Sequence, residues 1–126
     1  MKLTTSLSDW KFKMSEYPFA LEDIVLWFQS TESVMRGFGI TLANVRQSHT
    51  KKPAAAGNYD TEVAIGQICF WVSGEIDFEV LRRSDGKNVF QHHEVVSNLS
   101  ASSLERACDK FARSMMHPDG VSSAKI

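Results

Sequence analysis

The chain has 126 residues, of which 43% are hydrophobic and 23% charged, a composition that fits one globular domain. Its formal net charge is −1, which argues against a general nucleic-acid-binding protein. The N-terminus lacks the apolar run of a secretory signal, and no stretch is apolar for long enough to span a membrane. We therefore expect a cytoplasmic protein with neither a nucleic-acid nor a membrane partner.

The pattern divides the chain into an N-terminal arm, residues 1–18, a single α+β domain, residues 19–117, and a flexible tail, residues 118–126. In the arm, lysines alternate with three apolar residues: Trp10, Phe12 and Met14. This alternation fits either a short edge strand or a loosely attached arm. Met14 is also a possible second translation start, which leaves open whether the first 13 residues belong to the native protein.

A first helix is predicted from residue 18 or 19 to Arg36, because apolar side chains recur there at helical spacing. The stripe consists of Leu21, Ile24, Val25 and Phe28. Ser30 and Thr31 weaken the middle of this helix and are a candidate break. Gly37 follows the last periodic residue and is the predicted C-cap.

A first strand is predicted over residues 38–47, where Ile40, Leu42 and Val45 are apolar. Residues 48–59 combine charge, a proline and small side chains, which is typical of a long exposed loop. Two adjacent lysines in such a loop are usually solvated, so they do not indicate a phosphate site.

Three strands joined by two tight turns are predicted over residues 62–72, 75–83 and 88–96. Asp-Gly in the second turn is a strong hairpin signal between two β-rich runs. Since strand side chains alternate between faces, the middle strand has one apolar and one acidic face. Its apolar residues are Ile76, Phe78 and Val80, and its acidic residues are Glu75, Asp77 and Glu79.

A final helix is predicted from Ser102 to about His117, with Ser102 and Glu105 forming a capping-box pattern. Its apolar stripe should pack on the apolar face of the middle strand. The predicted fold is therefore α+β: an N-terminal helix, a four-stranded antiparallel β-meander, and a C-terminal helix packed on one sheet face.

Motifs for catalysis or metal binding are absent from the sequence: it has no phosphate-binding glycine loop, nucleophile elbow, HExxH or CxxC. His92 and His93 are adjacent in a strand and should point to opposite faces, so they cannot share one metal. Cys69 would lie two strand spacings, roughly 9.5 Å, from either histidine, too far for activation. Cys69 and Cys108 are predicted to be buried reduced thiols. We therefore predict a protein that is not an enzyme and uses no metal or cofactor.

The acidic face is either a solvated outer face or a partner-binding surface. From Asp60 to Leu81 there are five acidic residues and no Lys or Arg, so a basic partner would relieve like-charge repulsion. The predicted contact residues are Glu75, Asp77 and Glu79, with Trp71 as an aromatic anchor unless it packs in the core.

Two further groups are alternatives or additions to this surface. His92 and Glu94 share one face of the last strand and are secondary contact candidates. The predicted loop from Lys51 to Tyr59 is an alternative surface that would insert into a cleft of the partner.

The segments IGQICFWVSGEIDFEVL, from Ile65 to Leu81, and VFQHHEV, from Val89 to Val95, resemble the TriTu family of bacterial immunity proteins. The helix that contains Trp27 and the GITL strand entry after it are also similar. The resemblance extends over residues 21–116.

The resemblance implies a binding function, in which the protein neutralises a co-encoded toxin delivered by Rhs-type or type VI secretion. The family's toxin is an ADP-ribosyltransferase that uses NAD to modify elongation factor Tu. The implied mechanism is a tight 1:1 complex of a free monomer with the toxin that blocks the toxin's cleft. A small secretion chaperone or adaptor is the alternative, because such proteins are also small α+β domains.

Overall fold

The computed structural model describes residues 17–119, so the predictions for residues 1–16 and 120–126 lie outside the described part. Two helices and five strands follow one another along the chain. They are α1 (Leu21–Gly37), β1 (Thr41–Ser48), β2 (Ala54–Asp60), β3 (Ala64–Trp71), β4 (Glu75–Arg82), β5 (Asn88–Val95) and α2 (Ser102–Met116). The strands form one antiparallel sheet in the order β1-β2-β3-β4-β5, because each hairpin pairs neighbours in sequence.

Both helices pack on the same face of the sheet, called here the inner face. α1 covers β1 and β2, whereas α2 covers β3, β4 and β5. Phe111 of α2 lies at the centre of the core, with its ring 5.3 Å from Tyr59 and 6.0 Å from Phe78 between centroids. Trp27 of α1 meets Phe70 of β3 edge-on at 5.4 Å. The predicted packing of the C-terminal helix on the apolar face of β4 is confirmed.

Two glycines on the inner face let the helices approach the sheet closely. A Cβ atom at Gly57 would lie 2.8 Å from the Phe28 ring, and one at Gly66 would lie 2.6 Å from Met115 Sδ. Gly57 thus makes room for α1 and Gly66 for α2, since non-bonded heavy atoms at these distances overlap.

The prediction of a long loop over residues 48–59 is wrong, because Ala54–Asp60 forms strand β2 in the interior of the sheet. The sheet therefore has five strands rather than four. Small residues made this segment resemble a loop, but they are needed where α1 packs on the sheet, and Ala55 and Tyr59 are fully buried. Pairing with β1 and β3 satisfies the backbone of β2 on both sides, which outweighs the weak strand propensity of alanine and glycine.

The first helix is continuous, so the predicted break at Ser30 and Thr31 is wrong. Ser30 Oγ donates to the Trp27 carbonyl at 2.8 Å, and Thr31 Oγ1 donates to the Phe28 carbonyl at 3.1 Å. Both hydroxyls bond within the helix instead of competing with it.

The predicted C-cap at Gly37 is also wrong, since Gly37 is the last helical residue and Phe38 is the C-cap. Gly39 adopts the left-handed conformation, with φ of 83°. Its N–H donates to the Arg36 carbonyl, and the N–H of Ile40 donates to the Met35 carbonyl. These two hydrogen bonds form a Schellman motif, in which the residue after the C-cap adopts the left-handed conformation. The glycine that ends the helix is therefore Gly39 and not Gly37.

The predicted capping box of the second helix does not form. Ala101 is the N-cap, Ser102 is already helical, and no side chain caps this end by a hydrogen bond. Instead, Glu105 places a carboxylate in the first turn. A carboxylate near a helix N-terminus is favoured by the helix dipole, which explains how this end is stabilised without a capping box.

Arg82, at the end of β4, forms hydrogen bonds with both the β4–β5 turn and the segment after α2. Its guanidinium donates to both carboxylate oxygens of Asp85 in the β4–β5 turn, at 3.1 and 2.9 Å. The same side chain donates to Asp119 at 3.1 Å. Asp119, three residues after α2, is thereby held beside the β4–β5 turn.

Candidate partner-binding face of the sheet

The side of the sheet opposite the helices, called here the outer face, has no helix over it in residues 17–119. Ile76, Phe78 and Val80 are completely buried on the inner face, so their neighbours along β4 point outward. The predicted division of β4 into an apolar and an acidic face is therefore confirmed. The acidic side chains that it places on the outer face are Glu75, Asp77 and Glu79.

Each of these three carboxylates already has a partner within the chain. Glu75 forms an ion pair with Lys52 and accepts a hydrogen bond from Ser73 Oγ at 3.1 Å. The hydrogen bonds from Lys52 and then Ser73 hold the pKa of the Glu75 carboxyl below its usual range. Like-charge repulsion along the strand is thus partly relieved inside the free protein.

The other two carboxylates have neutral or titratable partners from β5. Asp77 Oδ1 lies 2.5 Å from His93 Nδ1, and Glu79 Oε2 accepts a hydrogen bond from Asn88 Nδ2 at 2.9 Å. Glu79 has no Lys or Arg partner among residues 17–119. The region around Asp77 and Glu79 therefore keeps negative charge that a basic surface would complement.

Trp71 lies on the outer face at the end of β3 and is only partly buried. It is therefore outside the hydrophobic core between sheet and helices. Lys52 places its ammonium 5.6 Å from the centroid of the Trp71 ring, within cation–π distance. One contiguous cluster therefore contains Trp71, Lys52 and Glu75. Lys52, from the β1–β2 link, lies over Trp71 at the end of β3 and Glu75 at the start of β4.

A row of amide side chains continues the outer face toward β1. Gln67 Nε2 donates to Asn58 Oδ1 at 3.1 Å, and Asn58 Nδ2 donates to Asn44 Oδ1 at 2.8 Å. These three residues lie directly opposite one another on β3, β2 and β1. The sequence could not indicate this row, because it depends on β2 being a strand. The row fixes side-chain positions across half of the outer face.

A shallow open depression of about 570 Å³ lies at the middle of the outer face. Its side chains come from the three strands β3, β4 and β5, and include Gln67, Cys69, Trp71, Asp77, Glu79 and Gln91. The outer face is thus slightly concave at its acidic centre, a shape that can receive a protruding side chain.

The structure does not bring His92 and Glu94 together with the acidic row. They share one face, as predicted, but it is the inner face. The His92 ring stacks on Phe90 at 6.2 Å between centroids, and its Nε2 lies 2.7 Å from Glu94 Oε1. Hydrogen bonds from His92 and then Ser103 lower the pKa of Glu94. These two residues support the packing of α2 against the edge of the sheet.

His93 is the histidine that faces the acidic row. The register between β4 and β5 sets it directly opposite Asp77 and sets His92 opposite Phe78. The sequence showed that the two histidines point to opposite sides, but it did not show which one faces the carboxylates. That assignment needs the register, which is fixed here by the turn and a bulge next to Val80.

The two cysteines are free thiols, and both are partly rather than fully buried. Burial and then the charge of Asp77 raise the pKa of the Cys69 thiol. Burial raises the pKa of the Cys108 thiol to about 12. Both thiols therefore stay protonated at neutral pH, which is the opposite of an activated nucleophile. Within residues 17–119, no three His, Cys, Asp or Glu side chains are grouped as metal ligands.

The predicted insertion loop from Lys51 to Tyr59 is wrong, since most of it is strand β2. Only residues 49–53 link β1 to β2, and Lys52 in this link is held by its ion pair with Glu75. The Tyr17 hydroxyl also donates to the Lys51 carbonyl at 3.4 Å. A link of only five residues is too short to insert deeply into a cleft.

A second concave region lies in the helix layer, between α1 and α2. This interhelical groove has a volume of about 690 Å³ and is lined mainly by apolar side chains, among them Trp27, Leu104 and Ala112. At its edge Val34 is 61% exposed and Phe38 is 47% exposed. The groove therefore exposes apolar surface on the helix side of the protein, whereas the outer face of the sheet is acidic.

Comparison with known proteins gives one positive result. A family model described as "Immunity protein TriTu" matches residues 22–114, which is more than half of the chain. Neither the curated proteins nor the solved structures include a significant match to this sequence. Neither helix in the described region has both the length and the apolar character needed to cross a bilayer.

Proposed function

Because the chain belongs to the TriTu family of immunity proteins, we propose that it binds and neutralises a cognate antibacterial toxin through the outer face of its sheet. The toxin is an ADP-ribosyltransferase that uses NAD to modify elongation factor Tu and reaches the cell by Rhs-type or type VI secretion. The immunity protein acts in the cytoplasm, where the toxin meets its target. It inhibits by binding alone, as a monomer that forms a 1:1 complex.

The observation that carries this proposal is the position of Trp71 beside a carboxylate row on an uncovered sheet face. Tryptophan is enriched among the residues that dominate binding energy in protein interfaces. Here it stands next to Glu75 and is followed by Asp77 and Glu79 along β4. An aromatic anchor with flanking charges suits capture of a folded, basic surface.

The sheet also supports rapid and tight binding, because its contact residues are held before the partner arrives. β3 and β4 are central strands with hydrogen-bonded neighbours on both sides. Hydrogen bonds further fix Gln67, Glu75, Asp77 and Glu79. Pre-organised side chains lose less conformational entropy on binding, and complementary charge speeds the encounter with an enzyme that must be stopped early.

The test is calorimetry with the toxin domain encoded next to this gene, inactivated for safe expression. Wild type should bind with a Kd on the order of nanomolar, the range of pre-organised interfaces of standard size. The triple variant Glu75→Lys/Asp77→Lys/Glu79→Lys should lose at least about 100-fold in affinity while keeping its thermal transition. A matched control, Glu105→Lys/Asp109→Lys, reverses charges on the helix layer and should bind like wild type.

The outcomes separate the choice of partner from the choice of surface. If wild type binds and the triple variant binds equally well, the outer face is not the contact surface. If only the helix-layer variant loses affinity, the interhelical groove is the contact surface. If wild type does not bind or protect cells that express the toxin, toxin neutralisation itself is refuted.

A small secretion chaperone or adaptor is the second candidate, and the interhelical groove is the observation that favours it. Chaperones of this size bind amphipathic segments through apolar grooves, and Val34 and Phe38 expose apolar surface at this one. Under this reading Val34→Asp/Phe38→Asp would abolish binding of an effector's N-terminal peptide. Under toxin neutralisation through the outer face, the same variant would still bind toxin.

A further inference from the structure

We propose that Lys52 occupies, in the free protein, the site that an arginine side chain of the toxin takes in the complex. This inference rests on the proposed function and names the chemistry that the outer face recognises. The site consists of the Trp71 ring, the Glu75 carboxylate and the Ser73 hydroxyl. Lys52 fills it from the short link between β1 and β2, and a partner cation displaces it.

The cluster has the chemistry of a cation site. The Lys52 ammonium lies 5.6 Å from the Trp71 ring centroid and forms an ion pair with Glu75 Oε1. Ser73 Oγ holds the same carboxylate oxygen at 3.1 Å. An aromatic face with a fixed carboxylate beside it attracts a cation by two additive effects, the ring quadrupole and the ion pair.

Lys52 is bound at this site only weakly. Its side chain is 41% exposed and that of Glu75 is 36% exposed, so water screens the ion pair. Exposed pairs of this kind contribute little, because ordering two long side chains offsets much of the attraction. The link that carries Lys52 also has only five residues, 49–53, and the lysine can turn into solvent without unfolding a strand.

An arginine of the partner would bind the same groups better than Lys52 does. A guanidinium is planar, so it can stack on the indole of Trp71 and still donate two parallel hydrogen bonds to Glu75. An ammonium is a strongly hydrated point charge that cannot do both equally well. Burial of the contact by the partner removes the water that screens it in the free protein.

The surface next to the site has the charge that a basic partner needs. Asp77 and Glu79 follow Glu75 along β4 on the outer face, with a shallow depression between them and Trp71. Only Glu75 of the three has a lysine or arginine partner among residues 17–119. Displacement of Lys52 exposes a third carboxylate in line with the other two, so the whole row becomes available to basic side chains.

The experiment compares two neighbouring lysines in calorimetric titrations with the inactivated toxin domain. Lys52→Met removes the competing ammonium and should raise affinity by about two- to fivefold, because the competing lysine is held only by a weak, solvent-screened pair. Lys51→Met removes the same charge one residue away, from an exposed side chain with no ion pair among the described residues. It should change affinity by less than about twofold, because screened long-range charge effects are small.

A coupling measurement adds a readout that general charge effects would not move. In a Trp71→Leu background the gain from Lys52→Met should be clearly smaller, since the aromatic part of the site is gone and only the Glu75 ion pair remains. Thermal unfolding of each variant shows that the fold is intact. Unchanged or weaker binding by Lys52→Met overturns the proposal, and so do equal gains from Lys51→Met and Lys52→Met. If wild type fails to bind the toxin at all, the proposed function falls, and this inference falls with it.

Discussion

Asp77 and His93 face each other across β4 and β5 on the outer face, with 2.5 Å between Asp77 Oδ1 and His93 Nδ1. The residue before His93 points to the other side, where the His92 ring packs on Phe78 at 5.9 Å and on Phe90 at 6.2 Å between centroids. Two adjacent histidines therefore have different structural roles, one on a surface and one beside the core.

The two histidines should differ in their contribution to stability. His92→Ala removes packing and the hydrogen bond to Glu94, and should lower the free energy of unfolding by about 1 to 2 kcal/mol. His93→Ala breaks a pair whose side chains are 57% and 51% exposed, and should cost less than about 1 kcal/mol. Urea unfolding of both variants measures the difference. Equal losses would contradict the register between β4 and β5.

Gly57 and Gly66 should tolerate no larger side chain. Gly57→Ala pushes a methyl group into Phe28, and Gly66→Ala pushes one into Met115 and Phe111. Each should destabilise the protein by about 1 to 3 kcal/mol, the range for overpacked cores. Gly37→Ala is the matched control in α1, because a Cβ there meets nothing within 4 Å.

The control variant should be neutral or more stable by up to about 1 kcal/mol, because alanine favours a helix over glycine. Denaturant midpoints of the three variants test the packing of the helices on the sheet. If Gly57→Ala and Gly66→Ala matched the control, the helices would lie farther from the sheet than described.

Tyr59 should be replaceable by phenylalanine with little loss of stability. The Tyr59 ring is buried, and its hydroxyl lies beside Thr31. The Thr31 hydroxyl, however, donates to the Phe28 carbonyl. The Tyr59 oxygen therefore lacks a hydrogen-bond partner of good geometry within residues 17–119. A buried unpaired hydroxyl is unfavourable by about 1 to 3 kcal/mol, so Tyr59→Phe should be neutral or stabilising. A marked loss of stability in thermal unfolding would show that the hydroxyl is hydrogen-bonded. Burial also raises the pKa of the Tyr59 hydroxyl, so this hydroxyl should stay protonated when exposed tyrosines ionise.

Acid should weaken the β4–β5 turn through Asp85. Hydrogen bonds from Arg82 and from the Lys87 backbone lower the pKa of Asp85 to about 2. On acidification the Asp85 carboxyl is protonated first in the unfolded chain, near pH 4. The stabilisation of the folded protein by ionised Asp85 is therefore complete above about pH 4. It is lost as the pH falls toward about 2.

The check is the melting temperature of wild type and Asp85→Asn between about pH 6 and about pH 2.5. The variant should be less stable at the upper end and should lose less stability toward the lower end. Parallel curves for the two proteins would show that Asp85 makes no pH-dependent contribution.

Periodic patterns predicted most of the fold, because buried faces leave regular apolar spacing. α1 and α2 show the helical repeat, and β4 alternates strictly between apolar and acidic residues. Strand β2 could not be predicted, because its alanines and glycine carry no such signal. Their small size suits the packing of α1, which is a tertiary requirement that a local window does not contain.

Part of the candidate site was predictable because the residues of β4 alternate regularly between the two faces of the sheet. Alternation along one strand placed Glu75, Asp77 and Glu79 on one face. It could not show that Lys52 reaches Glu75 and Trp71, because that contact joins residues 23 and 19 positions apart through strands whose order was unknown. Nor could it show that His93 rather than His92 faces Asp77, because register is a property of two strands together.

The anchoring of the chain by Arg82 has a practical consequence for how the protein is attached to a sensor surface. Asp119 is held at the Arg82 end of β4, whereas Tyr17 reaches the Lys51 carbonyl near the other end, beside Trp71 and Glu75. The two ends of β4 are separated by roughly 23 Å. The described chain therefore leaves the fold at Asp119, at the end of the strand away from Trp71, so attachment from that side leaves the Trp71 end accessible. It enters at Tyr17, near Lys52, so attachment from that side would obstruct the surface being measured.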